Sequence, residues 1–447
     1  METLESILTQ ISDLLWGYPL IILLFGTHIF LTIRLKFIQR FIVKAIKISL
    51  KRDKEGSGDI SQFGALTTAL AATIGTGNIV GVSTAVAAGG PGAVLWMWLT
   101  GVFGIATKYS EALLSVKYRV TMDDGSMAGG PMYVLEHGLK MKWLAVLFAA
   151  FTSVTAFGIG NMVQANSIST LVNETFQIPT WITGAILAIL TAVVIIGGIK
   201  SIAGVCERLV PFMAITYFFG CVVILIMNYA TVPSTVVLIF ESAFTGHAVV
   251  GGFLGAGAKE AIRFGIARGL FSNESGLGSA PIVAAAAQTK NPIRQALVSS
   301  TGTFWDTVVV CAVTGLTIVN SGEWMHGYTG AALTKQAFSD IHIVGPIILT
   351  LGLLTFVFST ILGWSYYGEK AAEYLFGSKI IKPYRYMWVI FVMIGSVLSL
   401  NMVWTFADIT NALMALPNLV SLLLLSGVIV SETKKYLWDG NLDESGD

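Results

Sequence analysis

The chain has 447 residues and a net charge of +1, with 54% hydrophobic and only 12% charged residues. Soluble domains carry roughly 25% charged residues, and the mean hydropathy of +0.75 points the same way. This composition excludes an ordinary soluble protein and indicates a helical protein that crosses a membrane several times, while the near-neutral charge gives no sign of nucleic-acid binding.

The sequence predicts eleven membrane spans, because a spanning helix needs about 20 predominantly apolar residues. The predicted spans are 14–33, 62–88, 91–117, 143–172, 180–198, 209–229, 254–288, 296–319, 345–375, 386–403 and 405–431. No linker or soluble domain is evident between them. The longest connections, 119–142 and 320–344, either cover a pore mouth or are plain surface connections, and the second interpretation is favoured.

The placement of Lys and Arg predicts the orientation of the chain. Eight of them lie between positions 34 and 54, and 23 of the 27 fall on the same side of the predicted spans. This side is expected to be cytoplasmic. The N-terminus is then outside, the C-terminus is cytoplasmic, and the protein is expected in the plasma membrane.

Cysteine, histidine and the N-terminus give no indication of a cofactor or a leader. The three cysteines are scattered in or beside apolar segments, which is typical of small buried side chains rather than disulfides. The five histidines lack metal-ligand spacing. The first residues, METLESILTQ, are acidic and polar, so no signal peptide is expected.

A polar, glycine-rich stretch, TIGTGNIVG at 73–81, interrupts the second span. Backbone groups freed inside a membrane must be buried in protein or line a cavity. A bound carboxylate or cation can satisfy them, because half-helix N-termini favour anions and free carbonyls favour cations. Taken alone, Gly77 and Gly81 favour helix packing. A kink in a channel stays open, while a dinucleotide loop fails because no strand precedes it.

A second polar interruption, FSNESGLG at 271–278, divides the seventh span, and Pro281 suits the first turn of a new helix. The half-helices are predicted at 254–271 and 280–288. The two interruptions lie five spans apart, so they have opposite orientations in the membrane. This is the pattern expected of inverted repeats with a binding site at the midplane.

Polar residues in two further spans complete a candidate site. Adjacent Ser359 and Thr360 offer hydroxyl oxygens suited to a hard cation, unless they bond back to their own helix. In the fourth span, Phe157, Asn161 and Gln164 share one predicted face. Gln164 either binds a ligand or joins helices. Trp364, four residues beyond Thr360, either walls the cavity or fills space.

Charged residues at membrane depth are candidates for function. Glu274, in the second interruption, either binds an ion or substrate or caps the following half-helix. Asp306 lies near the middle of the eighth span. Arg268 and Asp408 are predicted to form a latch on the outer side.

The residues GGPGAVLWMWLTGVFG, at 89–104, resemble the signature of the sodium:alanine (alanine or glycine:cation) symporter family. Leu95 stands where that signature usually has Phe, an apolar exchange. The resemblance covers most of the chain, including GTGNIVG and GLFSNESGLGSAP. It implies membership of the amino acid–polyamine–organocation superfamily. The fold implied is all-α and of the leucine-transporter type, a 5+5 inverted repeat preceded by one extra helix.

The resemblance also implies roles for individual residues. The Gly-x-Gly-Asn motif matches Gly75 to Asn78, and the N–H groups of Thr76 and Gly77 should receive a substrate carboxylate. The expected ammonium ligands are the carbonyls of Thr73, Phe271 and Ser272, and Asn273 belongs to the same interruption. The expected Na⁺ ligands are the carbonyls of Ala71, Ile74 and Phe356 with the hydroxyls of Ser359 and Thr360. Asn78 matches a position that binds a second ion in sodium-coupled relatives.

These expectations combine into a secondary-active symporter that couples Na⁺ influx to uptake of a small neutral amino acid, alanine or glycine. The organisation expected is residues 1–61 as an extra helix and basic segment, 62–229 as the first repeat, and 230–447 as the second repeat and tail. No cofactor, nucleic acid or catalysis is expected, and the protein should be a monomer. Proton-coupled transport is the alternative, followed by an ion channel. An intramembrane enzyme lacks a catalytic set, although Asp306 and Glu274 leave it open.

Overall fold

The computed structural model describes residues 2–51, 56–244, 257–339, 344–398 and 401–445. The start of the seventh predicted span and residues 399–400 of the tenth lie outside these ranges. So do Arg52 and Lys54 of the basic first loop. The described part of the chain is almost entirely helical.

The described residues of the first half form eleven α-helices and one hairpin. They are α1 (Glu2–Leu15), α2 (Tyr18–Arg34), α3 (Ile42–Ser49), α4 (Gln62–Thr73), α5 (Val82–Gly89), α6 (Ala93–Lys117), β1 (Val120–Thr121), β2 (Met127–Ala128), α7 (Pro131–Tyr133), α8 (Lys142–Thr155), α9 (Val163–Phe176), α10 (Thr180–Ile195) and α11 (Gly198–Met227). Strands β1 and β2 pair antiparallel within the predicted 119–142 connection.

The described residues of the second half form ten α-helices. They are α12 (Val232–Phe244), α13 (Ala258–Asn273), α14 (Pro281–Ala284), α15 (Pro292–Thr303), α16 (Ala312–Ser321), α17 (Gly330–Phe338), α18 (Val344–Phe376), α19 (Ile381–Val397), α20 (Asn401–Leu424) and α21 (Ser426–Thr433). Helix α12 and the short helix α17 have no counterpart among the predicted spans.

Short helical turns of other types join several of these helices. The π-helical turns are Gly77–Gly81, Val134–Gly138, Ala156–Met162, Phe304–Cys311 and Lys434–Trp438, and the 3₁₀ turns are Ile38–Phe41, Glu323–His326 and Ser378–Ile380. Three of the π turns lie inside predicted spans. Such turns insert an extra residue and rotate the faces that follow.

Seven helices in the described ranges are long and apolar enough to cross a membrane. Their bounds are Ser6–Arg34, Lys142–Phe176, Gly198–Met227, Pro292–Ser321, Gly345–Phe376, Ser378–Val397 and Thr405–Leu424. An eighth span results if Gln62–Thr73 and Gly77–Gly89, which meet at 53°, are one broken helix. Every predicted span coincides with a helix or a broken helix, but the count of eleven stays a prediction.

The second interruption begins later than predicted and is followed by a shorter helix. Helix α13 continues to Asn273, and α14 ends at Ala284 rather than at 288. Helix α14 is short because the backbone that follows it bonds to the segment before α4 instead of continuing the helix. The Asp59 N–H donates to the Ala286 carbonyl (2.7 Å), and the Gln288 N–H donates to the Ile60 carbonyl (2.8 Å).

The two interrupted helices lie at the centre of the molecule. Helix α13 packs against α5, α6 and the π turn at 77–81, and α18 packs against α4 and α8. Helix α6 also packs against α15. This packing brings both interruptions, α18 and the eighth span to one region, where the candidate site lies.

Candidate functional site

The first interruption is short and is held by a side chain. Helix α4 ends at Thr73, and Ile74 adopts an extended conformation. The Gly75 N–H donates to Asn78 Oδ1 (2.9 Å) instead of to a helical carbonyl. Thr76 and Gly77 then begin a new helical segment, whose first N–H groups have no partners in a preceding turn.

Gly75 is required by close contact with the ninth predicted span. A Cβ atom at this position would lie 2.6 Å from Thr360 Oγ1. Gly77 has more room, because its added Cβ would lie 3.3 Å from the nearest atom, the Cα of Ser272. The two glycines therefore allow the first interruption to approach α18 on one side and α13 on the other.

The second interruption is held by two side chains that sequence reasoning missed. The N–H groups of Gly276 and Gly278 donate to Glu111 Oε1 at 3.0 and 3.1 Å. Asn418 Nδ2 donates to the same oxygen (2.6 Å) and to the Gly276 carbonyl (2.9 Å). Both glycines and Glu274 have positive φ, which explains the glycine content of this stretch. The sequence feature that could have indicated Glu111 is a carboxylate inside the apolar third span.

Asp306 joins the two interruptions. Asn78 Nδ2 donates to Asp306 Oδ1 (2.7 Å), while Ser272 Oγ (3.0 Å) and Thr307 Oγ1 (2.6 Å) donate to Oδ2. Asp306 is fully buried, and Cys311 Sγ lies 3.2 Å from both Asn78 Nδ2 and Ser272 Oγ. Since Asn78 belongs to the first interruption and Ser272 to the end of α13, one carboxylate contacts both.

A small central cavity lies between the interruptions, with about 20 Å³ available to the centres of water molecules. It is lined by Ala72, Thr73, Gly75, Thr76, Gly77, Ile159, Gln164, Phe271, Glu274, Leu277, Thr360, Trp364 and Asn411. Most of the predicted substrate residues are in this set. Asn78, Ser272 and Asn273 are not, because the first two face Asp306 and Asn273 lines another cavity.

Three buried oxygens give the central cavity a hydrogen-bond-accepting side. Gln164 Oε1 and Asn411 Oδ1 have no hydrogen-bond partner among the described residues. Glu274 contributes a carboxylate that accepts from Trp364 Nε1 (3.1 Å) and Ser279 Oγ (2.5 Å). Asn411 was missed by sequence reasoning, although an asparagine inside the apolar eleventh span is the kind of signal that marks such a residue.

Two predicted roles are corrected by this geometry. Glu274 does not cap the following helix, because its carboxylate accepts from side chains and the cap position, Ala280, has no side-chain bond. Asn161 does not share the cavity face of Gln164. It donates to the Trp388 carbonyl (2.9 Å), since the π turn at Ala156–Met162 rotates it away.

The predicted cation ligands meet where α4 ends beside α18. Ser359 Oγ donates to the carbonyls of Phe356 (2.8 Å) and Ala71 (3.1 Å). Thr360 Oγ1 donates to the Phe356 carbonyl (3.0 Å). The hydroxyls therefore do bond back to their own helix, but Ser359 also reaches across to α4. Ile74 lies buried at the break itself.

The two residues predicted to form a latch, Arg268 and Asp408, are close to one cavity but unpaired with each other. Arg268 and Asp408 line one cavity together with Ser12, Asp13, Trp16, Arg263, Phe264, Ala267 and Phe271. This cavity, called the Arg268 cavity below, has a volume of about 140 Å³ in which the centre of a water molecule can lie. No direct ion pair within 4.0 Å joins the two residues in the described part of the chain. Phe271 lines both this cavity and the central one.

The backbone as a whole resembles that of a solved transporter. The crystal structure of MhsT in complex with L-phenylalanine superposes with a TM-score of 0.56 at 15% identity, covering 88% of this chain and 94% of that one. At this identity the likeness concerns the fold. The broken helices and the cavity between them thus belong to a multi-pass membrane protein with the leucine-transporter-type fold.

The family follows from the sequence comparisons. A model of the sodium:alanine symporter family matches residues 1–445. The sodium/alanine symporter AgcS of Methanococcus maripaludis is 51% identical over 442 residues, covering 96% of this chain and 97% of that protein. An uncharacterized transporter of Haemophilus influenzae is 52% identical over 439 residues, covering 97% and 96%. The chain belongs to the sodium:alanine symporter family, which confirms the resemblance seen in the sequence.

Proposed function

We propose that this protein couples Na⁺ influx to the uptake of a small neutral amino acid, alanine or glycine, bound in the central cavity. The observation that carries the proposal is the polarity of the cavity. Its lining includes a helix N-terminus, at Thr76 and Gly77, and buried acceptor oxygens of Gln164, Asn411 and Glu274. An amino acid zwitterion has the matching pair of charges.

The carboxylate would bind the N–H groups of Thr76 and Gly77. These residues begin the helical segment after the first interruption, where free donors and the helix dipole favour an anion. Both line the central cavity. Gly75 supports this end indirectly, because Asn78 holds its N–H and fixes the turn.

The ammonium would bind the accepting side of the cavity. An ammonium has three donors, and Gln164 Oε1, Asn411 Oδ1 and the Glu274 carboxylate are three buried acceptors. The carbonyls of Thr73 and Phe271 lie at helix ends and line the same space. Burying unpaired acceptors is costly, so a ligand that donates to them gains affinity.

Size would restrict the substrate. A cavity needs about 10–15 Å³ for the centre of one water molecule, and this one offers about 20 Å³. The ring of Trp364 is held by Glu274, and Phe271 lines both this cavity and the Arg268 cavity. With so little free space, these walls favour the smallest side chains, a hydrogen or a methyl group, and would exclude large ones.

Na⁺ would bind between α4 and α18, where carbonyl and hydroxyl oxygens suit a hard cation. The ligands would be the carbonyls of Ala71, Ile74 and Phe356 and the hydroxyls of Ser359 and Thr360. A second Na⁺ would bind near Asp306 with Asn78 and Ser272. Both positions adjoin the first interruption. Because an ion there fixes the backbone that also binds the substrate, ion and amino acid would each strengthen the binding of the other.

Transport would proceed by alternating access, with residues 62–229 and 230–447 as repeats that move around the central cavity. We further propose a monomer in the plasma membrane with the N-terminus outside and the C-terminus in the cytoplasm. Arg268 and Asp408 would close the outer side in another conformation, since they already face one cavity.

Uptake of labelled alanine into proteoliposomes tests the proposal. An inward Na⁺ gradient should drive accumulation above equilibrium, whereas K⁺ at the same concentration should not. Accumulation driven equally well by a proton gradient without Na⁺ contradicts Na⁺ coupling and favours the proton-coupled alternative. Glycine should compete with labelled alanine, and failure to compete would remove it from the substrate range.

A further inference from the structure

A second small cavity adjoins the central one. It is lined by Ala69, Leu70, Thr73, Lys108, Ala112, Asn273, Ala280, Pro281, Ser299 and Gly302. About 10 Å³ is available to water centres. Thr73 lines both cavities. Apart from Thr73, none of the residues proposed to contact substrate or Na⁺ lines this Lys108 cavity.

Two buried donors in the wall of this cavity lack partners. Lys108 is 4% exposed and Asn273 is 1% exposed. Neither Lys108 Nζ nor Asn273 Nδ2 has a hydrogen-bond partner in the portion of the chain that the structure describes. The orientation of the Asn273 amide is fixed, because its Oδ1 accepts the Ser275 N–H at 2.9 Å.

The remaining polar groups of the wall add another donor and no free carboxylate. Ser299 Oγ accepts from Gln295 Nε2 (3.0 Å), so its own hydrogen is available to the cavity. The Thr73 hydroxyl donates to its own helix, to the Ala69 carbonyl. All the other lining side chains are apolar or absent.

The neighbouring carboxylates do not line the Lys108 cavity. Glu111 Oε1 accepts from two backbone N–H groups and Asn418, and Glu274 accepts from Ser279 and Trp364. They lie within electrostatic range of Lys108, as does Asp306. In the described ranges no carboxylate oxygen lies within 4.0 Å of Lys108 Nζ.

We propose that the Lys108 cavity binds one small monovalent anion, chloride under ordinary conditions, between Lys108 Nζ and Asn273 Nδ2. A buried ammonium without a partner is costly, and an anion with two or three donors offsets that cost. The cavity has about the minimum volume for one water molecule, so a single-atom anion fits better than a polyatomic one. The site goes beyond the proposed function, since it would be occupied whichever amino acid is carried.

The proposal also predicts linkage to Na⁺. With the carboxylates of Glu111, Glu274 and Asp306 nearby, an anion is repelled unless cations neutralise them. Chloride should therefore bind more tightly when Na⁺ is present. A lysine that only neutralised these carboxylates would show no response to chloride.

Crystals of the full-length protein grown in sodium bromide test the site directly. We expect an anomalous bromide peak between Lys108 Nζ and Asn273 Nδ2 that persists when alanine is present. An empty cavity or ordered water at this position overturns the proposal. Density for a whole amino acid here overturns the assignment to a halide and makes the cavity an exit site for the substrate carboxylate.

Variants test the same site in solution by the shift in melting temperature between sodium chloride and sodium gluconate. Lys108→Met should abolish the chloride shift. Asn273→Ala should raise at least tenfold the chloride concentration that gives half of the maximal shift in melting temperature. This variant provides the test if Lys108→Met does not fold. Lys117→Met is the matched control, because Lys117 lies on the same helix but pairs with Glu432 (2.8 Å) at the surface. A chloride shift unchanged in both cavity variants contradicts the proposal.

Discussion

Asn78 Nδ2 donates to Asp306 Oδ1 over 2.7 Å, and Asn78 Oδ1 accepts the Gly75 N–H over 2.9 Å. A single amide thus connects the backbone of the first interruption to a buried carboxylate on the eighth span. Ser272 Oγ brings the end of α13 to the same carboxylate (3.0 Å). A cation that binds Asp306 would act on both interruptions at once.

Asp306→Asn should weaken Na⁺ binding while leaving the fold intact. The substitution keeps the size of the side chain but removes its charge, so we expect the Na⁺ concentration for half-maximal uptake to rise at least tenfold, about 1.4 kcal/mol. The measurement is alanine uptake as a function of Na⁺. Asp13→Asn, in the wall of the Arg268 cavity, is the control and should leave that concentration unchanged. Unaltered Na⁺ dependence in Asp306→Asn would exclude Asp306 as an ion ligand.

Ser359→Ala and Thr360→Val should each reduce Na⁺ affinity, because each removes a hydroxyl ligand of the first Na⁺ group. We expect at least a tenfold loss, about 1.4 kcal/mol, measured by Na⁺ titration of alanine binding. Thr355→Val is a close control. The Thr355 hydroxyl, one turn before Ser359, also donates to its own helix (2.7 Å to the Leu351 carbonyl), but unlike Ser359 it has no hydrogen bond to α4 among the described residues. If all three variants behave alike, the hydroxyls serve the helix alone.

Substitution of the glycines in the first interruption should have graded effects. Gly75→Ala places a Cβ 2.6 Å from Thr360 Oγ1, so Na⁺ and alanine binding should both be lost. Gly77→Val should abolish alanine binding in a folded protein, because the side chain meets Ser272 and Phe271 beside the cavity. Gly81→Ala is the control, since its nearest neighbour is 4.0 Å away. Alanine binding is measured by equilibrium titration after size-exclusion chromatography confirms the fold. Survival of binding in Gly77→Val would support a packing role for this glycine.

Gln164→Leu and Asn411→Leu should each weaken alanine binding about tenfold, since each removes one acceptor for the ammonium, worth about 1.4 kcal/mol. The KM for alanine uptake is the readout. Asn161→Ala should leave KM unchanged, because Asn161 faces Trp388 rather than the cavity. An effect of Asn161→Ala as large as that of Gln164→Leu would mean that the two residues share a face after all.

Sequence reasoning located the two interruptions because glycine and polar residues inside apolar spans carry a strong physical signal. The pair Ser359 and Thr360 was found for the same reason. The direction of Asn161 was not predictable, because a π turn shifts the helical register and leaves little trace in composition. The contact between Asn78 and Asp306 is also invisible in the sequence, since it joins residues 228 positions apart.

Glu111 and Lys108 show a different limit. Both are charged residues inside the apolar third span, so their presence was a signal, but their roles depend on which neighbours they meet. Glu111 accepts two backbone N–H groups of the second interruption. The Lys108 ammonium, three residues earlier on the same helix, has no hydrogen-bond partner among the described residues. Only the packed structure distinguishes the two.

The central claim is that Na⁺ and alanine complete one binding site, and reciprocal titration of the purified protein tests it most directly. By linkage, Na⁺ must raise the affinity for alanine by the same factor by which alanine raises the affinity for Na⁺. The account predicts equal factors, each at least tenfold. An alanine affinity that is the same in Na⁺ and in K⁺ would contradict it.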